Sequence, residues 1–247
     1  MLILAIETTG AFASVALGFE QAGELTVPLN VEGHDRYSHL QNLTPQIVQI
    51  LSDADIFPED LTAIAVANGP GSFTGIRIGV STARALSQAW NKPCVAVGSL
   101  TAFLKRREAE DAPDADDVIC AIFNARRHQV YGFAEGILKE GPWMIEDVLQ
   151  ALLEQAGDRK VIFYGDGIDA YESIITESLG DRVNYEFAPR EVRYQDASDI
   201  ARAGLEKFRA GEILTYDQLL PDYMREAEAE TKLKAGELPI SRLPRQE

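Results

Sequence analysis

The stretch Ala65-Val-Ala-Asn-Gly-Pro-Gly-Ser-Phe-Thr-Gly-Ile-Arg-Ile-Gly-Val80 joins an apolar run to a glycine-rich turn and then to a helical pattern. The apolar run begins at Leu61 and is typical of a strand that is buried on both faces. The helix is predicted from about Ile76 to Trp90. A strand, a turn and a helix in this order form half of a βαβ unit, which predicts the α/β class.

Hydrophobic periodicity predicts further strands and helices on both sides of this stretch. Residues 2–30 read as a three-strand meander, so the sheet is predicted to be mixed, with parallel strands on its other side. Residues 40–51 are predicted to form one helix that is kinked at Pro45. The remaining strands are predicted at 93–97, 118–123, 129–134 and 161–164, and the remaining helices at 99–107, 145–156, 168–178 and 198–209.

A composition break at Glu108–Asp117, with six acidic residues and a proline in ten positions, marks the predicted boundary between two subdomains. Residues 1–107 form the predicted N-terminal subdomain. Residues 108–225 form the C-terminal one, whose last helix is expected to pack back on the first. The charge-rich residues 226–247 are expected to be mobile or to be ordered by a partner. The two similar α/β halves suggest an internal duplication.

Two turns are candidate phosphate or nucleotide loops. Backbone amides at a helix start bind anions, so Gly69 and Gly71 are candidates, although their spacing matches neither the Walker nor the dinucleotide pattern. Glu7, Thr8 and Thr9 end the first predicted strand, where a carboxylate can organise Mg²⁺ through water. The alternative in both cases is a tight structural turn.

Small residues recur every four positions along the helix that follows the glycine turn. Gly75, Gly79, Ala83 and Ser87 would form one strip on which another helix can approach closely. The helix has a more conventional apolar face for packing against its own sheet. The strip is therefore predicted to contact another protein, with intramolecular packing as the alternative.

The composition limits the function classes. The net charge of −16 over 247 residues repels phosphate, so direct tRNA binding is disfavoured. Each of the short basic runs Lys105–Arg107 and Arg126–Arg127 is predicted to be a solvated face or a linker. Cys94 and Cys120 lie in apolar stretches, which predicts buried reduced thiols. No signal-peptide pattern and no run of about 18 apolar residues occurs, so we expect a cytoplasmic protein without membrane contact.

The histidines argue against a metal site. A metal-binding pair on a helix needs spacing i, i+4, whereas His34 and His39 are five residues apart and point to different sides. His128 has no acidic or thiol neighbour in the sequence that would mark it as a base. We therefore expect no bound metal and no catalytic residue.

Several motifs together resemble the bacterial TsaB family, the glycoprotease-like threonylcarbamoyladenosine biosynthesis proteins. The matches cover the first 100 residues nearly continuously and recur in patches to residue 225. The glycine-rich run is the most specific of them. These motifs are Leu4–Thr9, Ser38-His39 with Pro45, Ala65–Val80, Asn124–Arg127 with Val130-Tyr131, and Pro221–Arg225.

The resemblance implies an actin/sugar-kinase/Hsp70-type fold of two subdomains, each with a mixed sheet flanked by helices. It implies a non-catalytic subunit that works beside a catalytic paralogue, TsaD, and an ATPase, TsaE. That set transfers threonylcarbamoyl from threonylcarbamoyl-AMP to N6 of the tRNA adenosine next to the anticodon. Contact with tRNA would be indirect, no cofactor would be held, and ATP or ADP would bind only with partners.

The resemblance also implies where partners bind. The helices at about 38–52, with Leu43 and Ile47, and at 76–90 would pair two copies in a homodimer or would pair this chain with TsaD. The paralogue holds its metal through a His-x-x-x-His pair, of which only His39 has a counterpart here. The family usually has Asp where this chain has Glu7, which weakens any nucleotide role for that loop.

Two other functions compete with this reading. One is a small-molecule kinase that binds a nucleotide, but 247 residues are few for two kinase lobes and no convincing catalytic Asp is present. The other is a glycoprotease-like metallopeptidase, which the histidine spacing disfavours.

Overall fold

The first sheet has the strand order β3-β2-β1-β4-β5 in the computed structural model, which describes residues 1–21, 24–32, 39–108 and 113–224. β1 pairs antiparallel with β2 and parallel with β4. This confirms the predicted mixed sheet. The elements of this half are β1 (Leu2–Glu7), β2 (Ser14–Gln21), β3 (Glu24–Glu32), α1 (His39–Asp53), β4 (Ala63–Gly69), α2 (Phe73–Trp90) and β5 (Cys94–Gly98).

The second sheet repeats the topology of the first. Its order is β10-β9-β6-β7-β8, in which β6 pairs antiparallel with β7 and parallel with β9. The duplicated pattern confirms the internal repeat and the actin/sugar-kinase/Hsp70-type fold. The elements are β6 (Val118–Arg126), β7 (Gln129–Ala134), β8 (Leu138–Met144), α3 (Ile145–Gln155), β9 (Val161–Tyr164), α4 (Gly167–Leu179), β10 (Tyr185–Phe187), α5 (Arg190–Arg193) and α6 (Ala197–Arg209).

The two halves exchange their final segments. α6 follows the second sheet but packs on the first, where Ile200 and Leu205 lie against Ile3 and neighbouring residues. The 3-10 helix Thr101–Glu108 follows the first sheet, and its Phe103 packs on Ile119 of the second. The far face of each sheet is therefore covered by a segment from the other half, which joins the halves through apolar contacts.

Several local predictions are confirmed, and others need correction. α1 is one helix with Pro45 inside, and both thiols are free and buried. The helix predicted at 99–107 is a 3-10 helix instead, and β8 and β10 were not predicted. No helix in the described part of the chain is long and apolar enough to cross a membrane. His34, Ser38 and the predicted tail, 226–247, lie outside the described residues.

Candidate functional site

The two predicted phosphate loops pack against each other. The Ser72 amide donates to the Thr9 carbonyl oxygen at 2.8 Å, and a Cβ on Gly71 would lie 2.5 Å from that same oxygen. The Ser72 hydroxyl then caps α2 by accepting from the Gly75 amide at 3.2 Å. Two of the amides that an anion would need are thus already used within the chain.

Both loops are also covered. Glu7, Thr8 and Thr9 are almost completely buried, and the Asp222 carbonyl oxygen lies where Gly69 would carry a side chain. The tight structural turn therefore describes this geometry, and the phosphate-loop prediction for these residues is not supported by it. Glycine is favoured at positions 69 and 71 because both residues have positive φ angles, which residues with a side chain rarely adopt.

The Glu7 carboxylate faces inward. Its Oε1 accepts from the Thr9 amide, while Oε2 has no hydrogen-bond partner among the described residues. Burial raises the pKa of Glu7 to about 7, and Asp196 adds to this rise, against the lowering effect of the Thr9 and Gly10 groups. The Glu7 carboxyl is fully buried and faces the protein interior, so it is not exposed to a hydrated Mg²⁺ ion in solution.

The raised pKa predicts a pH dependence of stability. Between pH 4.5 and 7 the folded state binds a proton at Glu7 that the unfolded state releases, so stability rises as the pH falls through this window. Glu7→Gln should abolish this contribution, which is about 2 to 3 kcal/mol. Urea unfolding of both proteins at pH 5 and pH 8 measures it. An unchanged difference between the two pH values in Glu7→Gln would contradict the prediction.

The strip of small residues does not lie on an open surface. A Cβ on Gly75 would overlap the Thr8 carbonyl oxygen, and one on Gly79 would overlap the Thr8 hydroxyl. Ala83 and Ser87 are buried beneath the same helix. The prediction that this strip contacts another protein is therefore wrong, because α2 uses it to approach the end of β1.

Leu43 and Ile47 need the same correction. Both side chains are buried in the core that α1 and α2 share with the first sheet. They stabilise the chain itself and are not available to a partner. The resemblance indicated the helices but not which of their faces is open.

The outer face of α1 and α2 is exposed and poor in charge. The two helices contain three charged residues in 33 positions, whereas the quarter found in the whole chain would give about eight. Leu40 and Val48 of α1 are exposed at 78% and 63%. A surface depleted of charge with exposed apolar residues is typical of a protein interface. The outward residues of α2 are Phe73, Thr74, Arg77, Ser81, Ala85, Gln88 and Ala89.

Sequence reasoning missed these outward residues, although charge depletion along 73–90 was a readable signal. Ser81, Ala85 and Ala89 are also small and spaced by four, so they form a second strip parallel to the buried one. Spacing alone cannot distinguish two such strips. The contacts of Gly75 and Gly79 with Thr8 show that the first strip faces inward.

His39 and His128 lie in different halves of the chain, one at the start of α1 and one in the second half. His39 begins α1 and its Nε2 lies 3.0 Å from the Gly10 carbonyl oxygen, while burial lowers its pKa. His128 lies at the exposed tip of the β6–β7 hairpin, with Nδ1 2.9 Å from Glu146 Oε1. Within the described ranges, no three His, Cys, Asp or Glu side chains come together in a metal-binding arrangement.

For the basic run Lys105–Arg107, the prediction of a solvated face is wrong at Arg106, whose side chain is largely buried. Its Nη2 lies 2.8 Å from Asp199 Oδ2 and donates to the Tyr194 carbonyl oxygen at 2.7 Å. Burial raises the pKa of Asp199 to about 6, although Arg106 lowers it. The Arg106–Asp199 ion pair therefore joins the 3-10 helix Thr101–Glu108 to α6, the two segments that cross between the halves. A cavity of about 530 Å³ opens beside it, lined by groups of both charges, including Arg190 and Asp196.

Comparison with known proteins decides the family. Residues 35–233 match the family model described as "TsaD: tRNA N6-adenosine threonylcarbamoyltransferase". The chain is 34% identical over 244 residues to the tRNA threonylcarbamoyladenosine biosynthesis protein TsaB of Bacillus subtilis, covering 94% of this chain and 97% of the relative. The chain belongs to the TsaB family. Membership places it among the proteins of tRNA threonylcarbamoyladenosine biosynthesis and confirms the resemblance inferred from the motifs.

Two further matches agree with TsaB membership. YeaZ from Pseudomonas aeruginosa superposes with a TM-score of 0.69 at 25% identity, covering 90% of this chain and 99% of that chain. The tRNA N6-adenosine threonylcarbamoyltransferase of Staphylococcus aureus is 34% identical, but the match spans 45% of this chain and 36% of that enzyme. The match to this one transferase therefore covers less than half of this chain, whereas the match to TsaB of Bacillus subtilis extends over nearly all of it.

Proposed function

We propose that this chain is a non-catalytic subunit of a tRNA threonylcarbamoyltransferase assembly. It pairs with a catalytic paralogue of the TsaD type and works with an ATPase of the TsaE type. The assembly transfers threonylcarbamoyl from threonylcarbamoyl-AMP to N6 of the adenosine next to the tRNA anticodon. This chain contacts tRNA only indirectly, and its outer α1–α2 face is the pairing surface.

The observation that carries this proposal is the exposed, charge-poor face of α1 and α2. Ser81, Ala85 and Ala89 leave room for a second helix layer to approach, and Leu40 and Val48 supply apolar area. In a chain with a net charge of −16, such a face would otherwise be expected to carry acidic residues. Two copies of this chain could pair through it in the absence of the paralogue, so the homodimer and the heterodimer would compete.

A reconstitution with one component omitted at a time tests the function. Threonylcarbamoyl incorporation into tRNA should require this chain, the paralogue and the ATPase together. Incorporation by this chain alone would overturn the proposal. Undiminished incorporation when this chain is left out of an otherwise complete mixture would overturn it too.

The variant Ala85→Arg tests the surface. A long charged side chain placed among small residues must clash or lose its hydration when a second helix approaches, so association with the paralogue should weaken at least about tenfold. Folding should be unaffected, because arginine is a good helix former and residue 85 is exposed. Isothermal titration calorimetry measures the dissociation constant.

The matched control is Ala170→Arg, which adds the same charge at an exposed alanine of α4 in the other half. It should leave the dissociation constant unchanged. If Ala85→Arg and the control bind the paralogue with equal affinity, the outer α1–α2 face is not the interface.

A further inference from the structure

Arg77 is held in one orientation on the exposed side of α2. Its guanidinium carbon lies 4.0 Å from the centroid of the Phe73 ring and 5.8 Å from that of Tyr223. Its Nε donates to the Tyr223 hydroxyl at 3.0 Å. The two rings lie 4.8 Å apart, so the guanidinium is stacked and hydrogen-bonded at the same time.

Tyr223 reaches this position because the preceding residues are anchored to the glycine-rich turn. Leu219 is fully buried in the core of the first half. The Asp222 amide donates to the Asn68 carbonyl oxygen at 2.7 Å, and Asn68 Nδ2 donates to the Leu220 carbonyl oxygen at 3.3 Å. Residues 221–224 of the motif thus have a structural role, which is to bring an aromatic ring onto the first turn of α2.

The charge of Arg77 is not neutralised within the described residues. No carboxylate there forms an ion pair with it, although the chain has 39 acidic residues, and Arg106, Arg107 and Arg193 all have acidic partners. A guanidinium that stacks on a ring and donates through Nε can still bind a carboxylate through its two terminal nitrogens. Its loss of side-chain freedom has already occurred in the unbound protein, which favours binding.

We infer that Arg77 is the anchor for an acidic side chain of the catalytic paralogue, and that Tyr223 and Phe73 are positioning residues for it. The inference rests on the proposed function, because Arg77 lies on the same exposed face of α2 as Ser81 and Ala85. It adds one specific charged contact to a surface that is otherwise poor in charge. Such a contact selects the orientation of the partner as well as adding affinity.

Titration of the paralogue with Arg77→Met tests the inference. Methionine retains most of the apolar stem but removes the charge, so association should weaken about ten- to a hundredfold. Raising the salt concentration should weaken wild-type binding more than variant binding, because only the wild type loses an ion pair. Arg77→Lys should recover part of the affinity, since it restores the charge without the planar fork.

Two further variants separate the roles. Tyr223→Phe keeps the ring but removes the acceptor of the Arg77 Nε hydrogen bond, so it should cost less than Arg77→Met and leave the salt dependence in place. Arg182→Met is the control, since it removes the same charge from an exposed site in the other half. It should bind as the wild type does.

The outcomes distinguish this inference from the function on which it rests. Failure of the wild type to bind the paralogue overturns both. Normal wild-type binding and activity, with Arg77→Met binding the paralogue as tightly as the wild type does at low salt and at high salt, overturns the anchor alone. Sedimentation that shows loss of a homodimer in Arg77→Met, with unchanged affinity for the paralogue, also overturns it, because the carboxylate would then belong to a second copy of this chain.

Discussion

Gly75→Ala is expected to lower the free energy of unfolding by more than about 3 kcal/mol. The new Cβ would overlap the backbone carbonyl oxygen of Thr8, which cannot rotate away as a side chain can. Thr8 is itself fixed, since its hydroxyl donates to the Gly75 carbonyl oxygen at 2.8 Å. Helix propensity favours alanine over glycine by about 1 kcal/mol, so any loss of stability must come from the overlap.

Gly79→Ala should show the same effect at a smaller size, about 1 to 3 kcal/mol. Its Cβ meets the Thr8 hydroxyl, and this side-chain group can move away by giving up its hydrogen bond to the Gly75 carbonyl oxygen, whereas a backbone oxygen cannot. Ser81→Ala is the control on the exposed side of α2 and should change stability by less than about 0.5 kcal/mol. Urea unfolding gives all three values. If Gly75→Ala is as stable as the wild type but no longer associates with its partner, the strip at Gly75 and Gly79 contacts the partner. That result would contradict the intramolecular packing described above.

The two strips of α2 illustrate what the sequence could predict. The strand, the glycine turn and the helix followed from local patterns, because each is dictated by residues close together in the chain. Local patterns could not predict which face of α2 points inward, because small residues occur at spacing four on both sides of the helix. The choice between them depends on Thr8, which lies 67 residues away from Gly75 and meets it only in the folded chain.

The missed strands have a different cause. β8 contains Gly141 and Pro142, and both residue types weaken strand propensity. It forms a strand because β7 supplies the pairing, with Tyr131 opposite Pro142 and Val130 opposite Trp143. β10 has only three residues and pairs with β9 at the sheet edge. Tertiary pairing therefore overrides local preference in both strands.

The contact between Arg106 and Asp199 was also beyond local patterns, since the two residues are 93 positions apart and belong to different halves. Asp199 is fully buried and lies near a second cation, Arg202, whose Nη1 is 3.7 Å from Asp199 Oδ1. Burial disfavours the ionised carboxyl and raises its pKa to about 6. The ionised form present at neutral pH therefore depends on Arg106 for compensation.

Arg106→Met is expected to destabilise the protein by about 3 to 5 kcal/mol at pH 7.5, because it leaves a buried carboxylate without its main partner. The pKa of Asp199 should rise further in this variant, since Arg106 is the largest influence that lowers it. The folded variant will then bind a proton at a pH where the unfolded chain does not, so lowering the pH from 7.5 to 5 should restore much of the loss.

Arg202→Met removes the more distant cation and should cost less than about 1 kcal/mol. Urea unfolding at both pH values measures these effects, and an Arg106→Met loss that stays constant between pH 7.5 and 5 would show that the contribution of Arg106 comes from packing on Phe103 and Tyr164 rather than from the ion pair.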